Sequence, residues 1–123
     1  NSRLYYWMIR YLGGIPIAET MSGMKAFNTA LDTYHARKEW IHVFPEEVRW
    51  DFYPYIRPFR KGPFTMAYKY DCPLVPLEPV FPDRSKTRES EVLRMMKVAH
   101  DRMVEGAGIK NNPWPANPCD LDA

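Results

Sequence analysis

Three short apolar runs, I-P-I at 15–17, W-I-H-V-F at 40–44 and L-V-P-L at 74–77, stand between stretches whose apolar residues recur every three to four positions. That alternation limits the possible folds more than any other feature of the chain. Residues 22–38 carry Met24, Phe27, Ala30, Leu31 and Tyr34 on one helical stripe, with Ser22 as N-cap candidate and Arg37 and Lys38 closing the end. Residues 88–105 carry Val92, Leu93, Met96, Ala99 and Met103 in the same way, with Gly106 and Gly108 as the stop. Two shorter helices are predicted over 3–12, stopped by Gly13 and Gly14, and over 62–70, with Pro63 in its first turn. Extended runs joined through helices of this length pair in parallel, because antiparallel neighbours need only a tight turn. The expected class is therefore α/β: a mainly parallel sheet of the three runs, with the 22–38 helix crossing between the first two. Three strands make a thin sheet, and a parallel sheet needs cover on both faces. An incomplete domain is expected, spanning 1–109, followed by a Pro- and Asn-rich tail over 110–123 with Trp114 as its anchor.

The chain has 123 residues, enough for one domain with a core of its own. Its formal charge of +2 is too small to mark a nucleic-acid footprint. No apolar run approaches the roughly 20 residues that span a bilayer. The first residues lack the charged-then-apolar order of a signal peptide, and the chain opens on Asn1, so it reads as a fragment or a processed product. Two cysteines, Cys72 and Cys119, make no disulfide framework and read as thiols of a reducing compartment.

The stretch H-V-F-P-E-E-V-R-W, 42–50, asks for a chemical explanation, since an apolar run leaves through Pro45 straight into Glu46, Glu47 and Arg49. Downstream, the segment 49–70 interleaves eight aromatics with Arg49, Arg57, Arg60, Lys61 and Lys69, against Asp51 as its one acid. Membrane contact fits this mixture, since Trp and Tyr favour the headgroup region and cations are drawn to anionic lipid. A loop packed by its own aromatics fits it equally. Bases stacked over a basic groove are the weaker reading. His42 and Glu46 do not make a metal site, because strand alternation and the Pro45 turn point them apart. His100, beside an apolar stripe, reads as structural, and Cys72 as an inert buried thiol.

The order F-P-E-E-V-R, then F-R-K-G-P-F, then C-P-L-V-P-L resembles the PlsC-like glycerophospholipid acyltransferases. That family has a strand ending F-P-E-G-T-R, a downstream F-K-x-G before a short helix, and a V-P-I-V-P-V strand. Phe44, Pro45, Glu46 and Arg49 match the first element, Phe59, Lys61 and Gly62 the second, and Pro73, Val75 and Pro76 the third. Upstream, Y-L-G-G-I-P-I is similar to the family's G-x-I-x-I strand. Glu47 and Val48 replace the usual Gly and Thr, and Ala18, Glu19 and Thr20 stand where an acceptor-binding arginine would follow. The catalytic H-x-x-x-x-D is absent, for His35, His42 and His100 are followed at the fifth position by Trp40, Glu47 and Glu105. P-L-V-P-L also abuts E-P-V-F-P-D at Leu77–Glu78, where a further loop and strand would be expected.

The resemblance implies transfer of a fatty acyl group from acyl-CoA or acyl carrier protein to a lysophospholipid or glycerol phosphate. The thioester is a co-substrate, and no cofactor or metal is implied. It implies no catalytic residue in this chain, whose transfer rate alone is expected to match the uncatalysed one. Glu46, Arg49, Lys61 and Gly62 become substrate-binding candidates. Arg49 would hold the acceptor phosphate with Lys61 adding charge, and Glu46 would bind an acceptor hydroxyl or orient neighbouring donors. A local Glu46–Arg49 ion pair capping the turn is the plain structural alternative. The implied partners are lipid acceptor, thioester donor and a membrane surface, not nucleic acid, with the protein peripheral at the cytoplasmic face. A non-catalytic lipid- or partner-binding relative is the other function open to the sequence.

Overall fold

The computed structural model describes residues 7, 8, 11, 13–15, 20–46 and 53–115. The chain divides into two compact units, Asn1–His42 and Val43–Ala123. The described architecture is helical: α1 over Met21–Ala36, α2 over Lys61–Tyr70 and α3 over Arg88–Gly106.

In the first unit, Trp7, Met8 and Tyr11 are helical, and the Trp7 and Tyr11 rings stack at 6.3 Å, one turn apart. Gly13 takes φ 85°, which only glycine adopts without strain, at the predicted stop. Thr20, not Ser22, caps α1: its extended backbone lets the hydroxyl accept from Gly23 N–H at 3.2 Å. Ser22 lies within the first turn. Of the expected stripe, Phe27 and Leu31 are buried, Ala30 and Tyr34 half-buried, and Met24 exposed.

The second unit is built on α2 packed against α3. Its core joins Phe59, Phe64, Val80, Val92, Met95, Met96 and Ala99, with Ile56, Leu74 and Trp114 packed against it. The buried face of α3 is wider than the predicted stripe, since Glu91, Met95 and His100 belong to it. Gly108, at φ 66°, closes α3 with a Schellman pair: its N–H reaches Glu105 O at 3.0 Å, and Ile109 N–H reaches Val104 O at 3.1 Å. Glu91 is fully buried; it accepts from Arg94 Nε at 2.9 and 3.0 Å and from Asp83 N–H at 2.9 Å, tying the 81–83 loop to α3. The Arg94 bonds foremost, then the Asp83 N–H, hold the Glu91 carboxyl below its ordinary range against the opposing effect of burial. None of the described helices is long and apolar enough to cross a membrane.

The expected parallel α/β sheet does not form among the described residues. Among the described residues no strand forms, and the one β-bridge is antiparallel, between Leu74 and Val80. Residues 40–44 are irregular, with Trp40 86% and Phe44 80% exposed. Ile15 is in neither helix nor strand, and Pro16 and Ile17 lie outside the described residues. The physical reason is partnership. A strand gains its ladder only from neighbours, and among the described residues no ladder forms beside these runs apart from the Leu74–Val80 bridge. In P-L-V-P-L-E-P-V the prolines at 73, 76 and 79 supply no N–H, so a long ladder is unavailable. The segment folds back on itself instead, with Leu74 and Val80 exchanging bonds of 2.9 and 2.7 Å.

Candidate functional site

The F-P-E turn and the F-R-K-G helix start are brought together. Arg60 N–H donates to Pro45 O at 2.8 Å, and Arg57 N–H donates to Glu46 Oε2 at 3.3 Å. These two bonds dock residues 45–46 on the backbone that enters α2. The entry is anchored from beneath by Phe59, which is 2% exposed. Its ring stacks on Phe64 at 5.8 Å and meets the rings of His100 and Trp114 edge-on at 5.5 and 6.2 Å. Trp114 thereby anchors the described part of the tail, residues 110–115.

Beyond Phe59 the chain turns into α2 with Arg60 as its extended N-cap, and no side chain caps the helix there. Pro63, third in the helix, lacks the N–H that would otherwise need a partner. A helix N-terminus carries partial positive charge. Here Arg57 and Arg60 precede it in sequence, Lys61 opens it, and the half-buried Glu46 turn is bonded to the Arg57 and Arg60 amides just before it. The chemistry this offers is anion binding beside a carboxylate acceptor.

The predicted site residues fall as follows. Glu46 is half-buried and bonded to the Arg57 amide. Lys61 and Gly62 are the first two residues of α2, both exposed. A Cβ at Gly62 would meet nothing within 4 Å, so packing does not require glycine there. Arg49 lies outside the described residues. The structure thus gathers Glu46, Lys61 and Gly62 in one region. Arg60 has no role among the candidate residues, although it stands inside the F-R-K-G element and its amide makes the shorter of the two bonds. Arg57 stood out only as one of the basic residues of 49–70, and its bond to Glu46 is made by the backbone.

Of the three histidines, His35 and His42 are exposed and His100 is fully buried. The Cys72 thiol is half-buried and donates to Tyr70 O at 3.4 Å. Burial foremost, and then the Asp71 carboxylate, push its pKa up. The aromatic segment is divided: Phe59 and Phe64 are core, whereas Tyr53 and Tyr55 are exposed with their rings edge-on at 5.7 Å.

The family model described as Acyltransferase matches residues 1–78. The chain therefore belongs to the acyltransferase family, although no sheet forms among the described residues. The match stops at Glu78, so α3 and the tail lie beyond it. No curated protein and no solved structure matches the chain.

Proposed function

We propose that this chain supplies the acceptor side of an acyl transfer, from acyl-CoA or acyl carrier protein to the hydroxyl of a lysophospholipid or glycerol phosphate. The observation that carries the reading is the junction of the two family motifs through Pro45–Arg60 and Glu46–Arg57. The junction bonds the Glu46 carboxylate, which suits a hydroxyl, to the backbone just before the start of α2, whose partial positive charge favours a phosphate. In this reading Arg49 and Lys61 bind the acceptor phosphate, Gly62 lets the ligand approach the backbone, and Glu46 accepts from the acceptor hydroxyl. The reaction also needs a general base on that hydroxyl, which the family draws from H-x-x-x-x-D and this chain does not contain. The reading places the protein in phospholipid synthesis, peripheral at the inner membrane face, with exposed Tyr53 and Tyr55 suited to the headgroup layer.

Binding of sn-glycerol 3-phosphate, with glycerol as control, tests this by titration calorimetry. Arg49→Ala removes a charge-assisted contact worth about 1.5–3 kcal/mol, so the Kd should rise roughly 10- to 100-fold. Arg49→Lys should recover only part, since a point charge does not reproduce a planar fork. An unchanged Kd together with lowered folding stability would make the Glu46–Arg49 turn a structural cap.

A further inference from the structure

One peptide group in the second unit is held at both ends. The carbonyl oxygen of Ile56 accepts from His100 Nε2 at 3.2 Å and from Asn112 Nδ2 at 2.9 Å. The N–H of the same peptide, that of Arg57, donates to Glu46 Oε2 at 3.3 Å. A peptide unit is planar and moves as one body, so whatever fixes the Ile56 oxygen also aims the Arg57 hydrogen. Both lone pairs of the carbonyl are in use. Donors on the oxygen polarise the unit and strengthen what its N–H gives to the carboxylate.

His100 is built for this purpose in a way that packing alone does not require. A carbonyl only accepts, so the proton of the bond sits on Nε2. The ring is fully buried between Phe59 and Trp114, at 5.5 and 5.1 Å, which fixes its plane. Its Nδ1 is buried with no hydrogen-bond partner; the Asp101 carboxylate stands 3.8 Å away. An apolar side chain would fill the same space without that cost. His100 and Asn112 both lie beyond residue 78, where the family match ends.

We propose that His100 and Asn112 are positioning residues for Glu46, acting through the Ile56–Arg57 peptide, so that the segment after the family match sets the geometry of the acceptor turn. The proposal rests on the reading of Glu46 as part of the acceptor site. The test uses the 123-residue chain, with amide hydrogen exchange read residue by residue by NMR and sn-glycerol 3-phosphate as the binding probe. Asn112→Ala should speed exchange at the Arg57 amide about tenfold while Met96 and Ala99, in the middle of α3, keep their protection. His100→Leu should do the same, and His100→Gln, whose amide can donate from a similar place, should restore protection. Glu46→Gln should speed Arg57 exchange as well, and Asn112→Ala should then add less than it does alone. Probe binding should weaken in Asn112→Ala in the direction of Glu46→Gln. Unchanged Arg57 exchange in both Asn112→Ala and His100→Leu would overturn the proposal. So would an equal loss of protection at Arg57 and throughout α3, which would make the pair general core. If the unaltered chain fails to bind the probe, the acceptor reading falls and the functional half of the proposal with it, while exchange still decides whether the clamp exists.

Discussion

Replacing Glu91 by glutamine keeps the shape of a buried side chain and removes its charge. The carboxylate has no exposed surface and accepts from Arg94 through both oxygens, while Oε1 also takes the Asp83 N–H at 2.9 Å. Glutamine can keep the Asp83 bond. It must then put an NH2 group where Oε2 accepted from Arg94 Nε, donor against donor, so the charge-assisted hold of both oxygens on the guanidinium is lost. A hydrogen bond to a charged group contributes about 1.5–3 kcal/mol. Since the Arg94 side chain is 36% exposed, solvent screening takes its share toward the lower end. The expected cost at pH 7 is about 2 kcal/mol. With a urea slope of about 1–2 kcal/mol per molar, the unfolding midpoint read by far-UV circular dichroism should fall by roughly 1–2 M. The pH dependence isolates the charge. Glu91 titrates lower in the folded chain than in the unfolded one, where the ordinary value is about 4.3. Its contribution is therefore complete above about pH 5 and is lost as pH falls through the folded value. Asp83, also lowered, chiefly by the Ser85 hydroxyl, is present in both proteins and cancels. The gap between parent and Glu91→Gln should be constant from about pH 5 to 8 and close in acid. A gap of the same size at pH 7 and pH 3 would refute the electrostatic account and leave packing as the cause.

Two further outcomes follow from the site. Gly62→Ala has open space for its Cβ and replaces a poor helix former, so stability should hold or rise by up to about 1 kcal/mol. If the bound phosphate approaches this backbone, glycerol phosphate binding should weaken in the same variant; unchanged calorimetry would remove Gly62 from the site. Burial and Asp71 raise the Cys72 pKa, leaving less thiolate near neutrality. Mass spectrometry should find Cys72 alkylated by iodoacetamide several-fold more slowly than free cysteine at pH 8, and faster labelling would contradict that environment.

The helices are legible in the sequence because a helix satisfies its own backbone within four residues. The Val92–Ala99 stripe, Pro63 near the start of α2 and Gly108 past the end of α3 are local signals, and all three sit where they were expected. So was the family, since its motifs are written in order along 11–77 and the match covers 1–78. The apolar runs were not legible, because a strand exists only by virtue of a partner elsewhere. Trp40 and Phe44 look like a buried strand and are exposed; Leu74 finds Val80, six residues on, instead of a parallel neighbour. The same holds for the candidate site. Residue types could nominate Glu46, Lys61 and Gly62, but no periodicity announces that Pro45 meets Arg60 through the main chain. Nor does it announce that Glu46, Arg57, His100 and Asn112 share one peptide group. Every peptide unit offers the same donor and acceptor whatever its side chain, so a bond to one leaves no mark on composition. It is chosen when Phe59, His100 and Trp114 pack together and fix which backbone faces which.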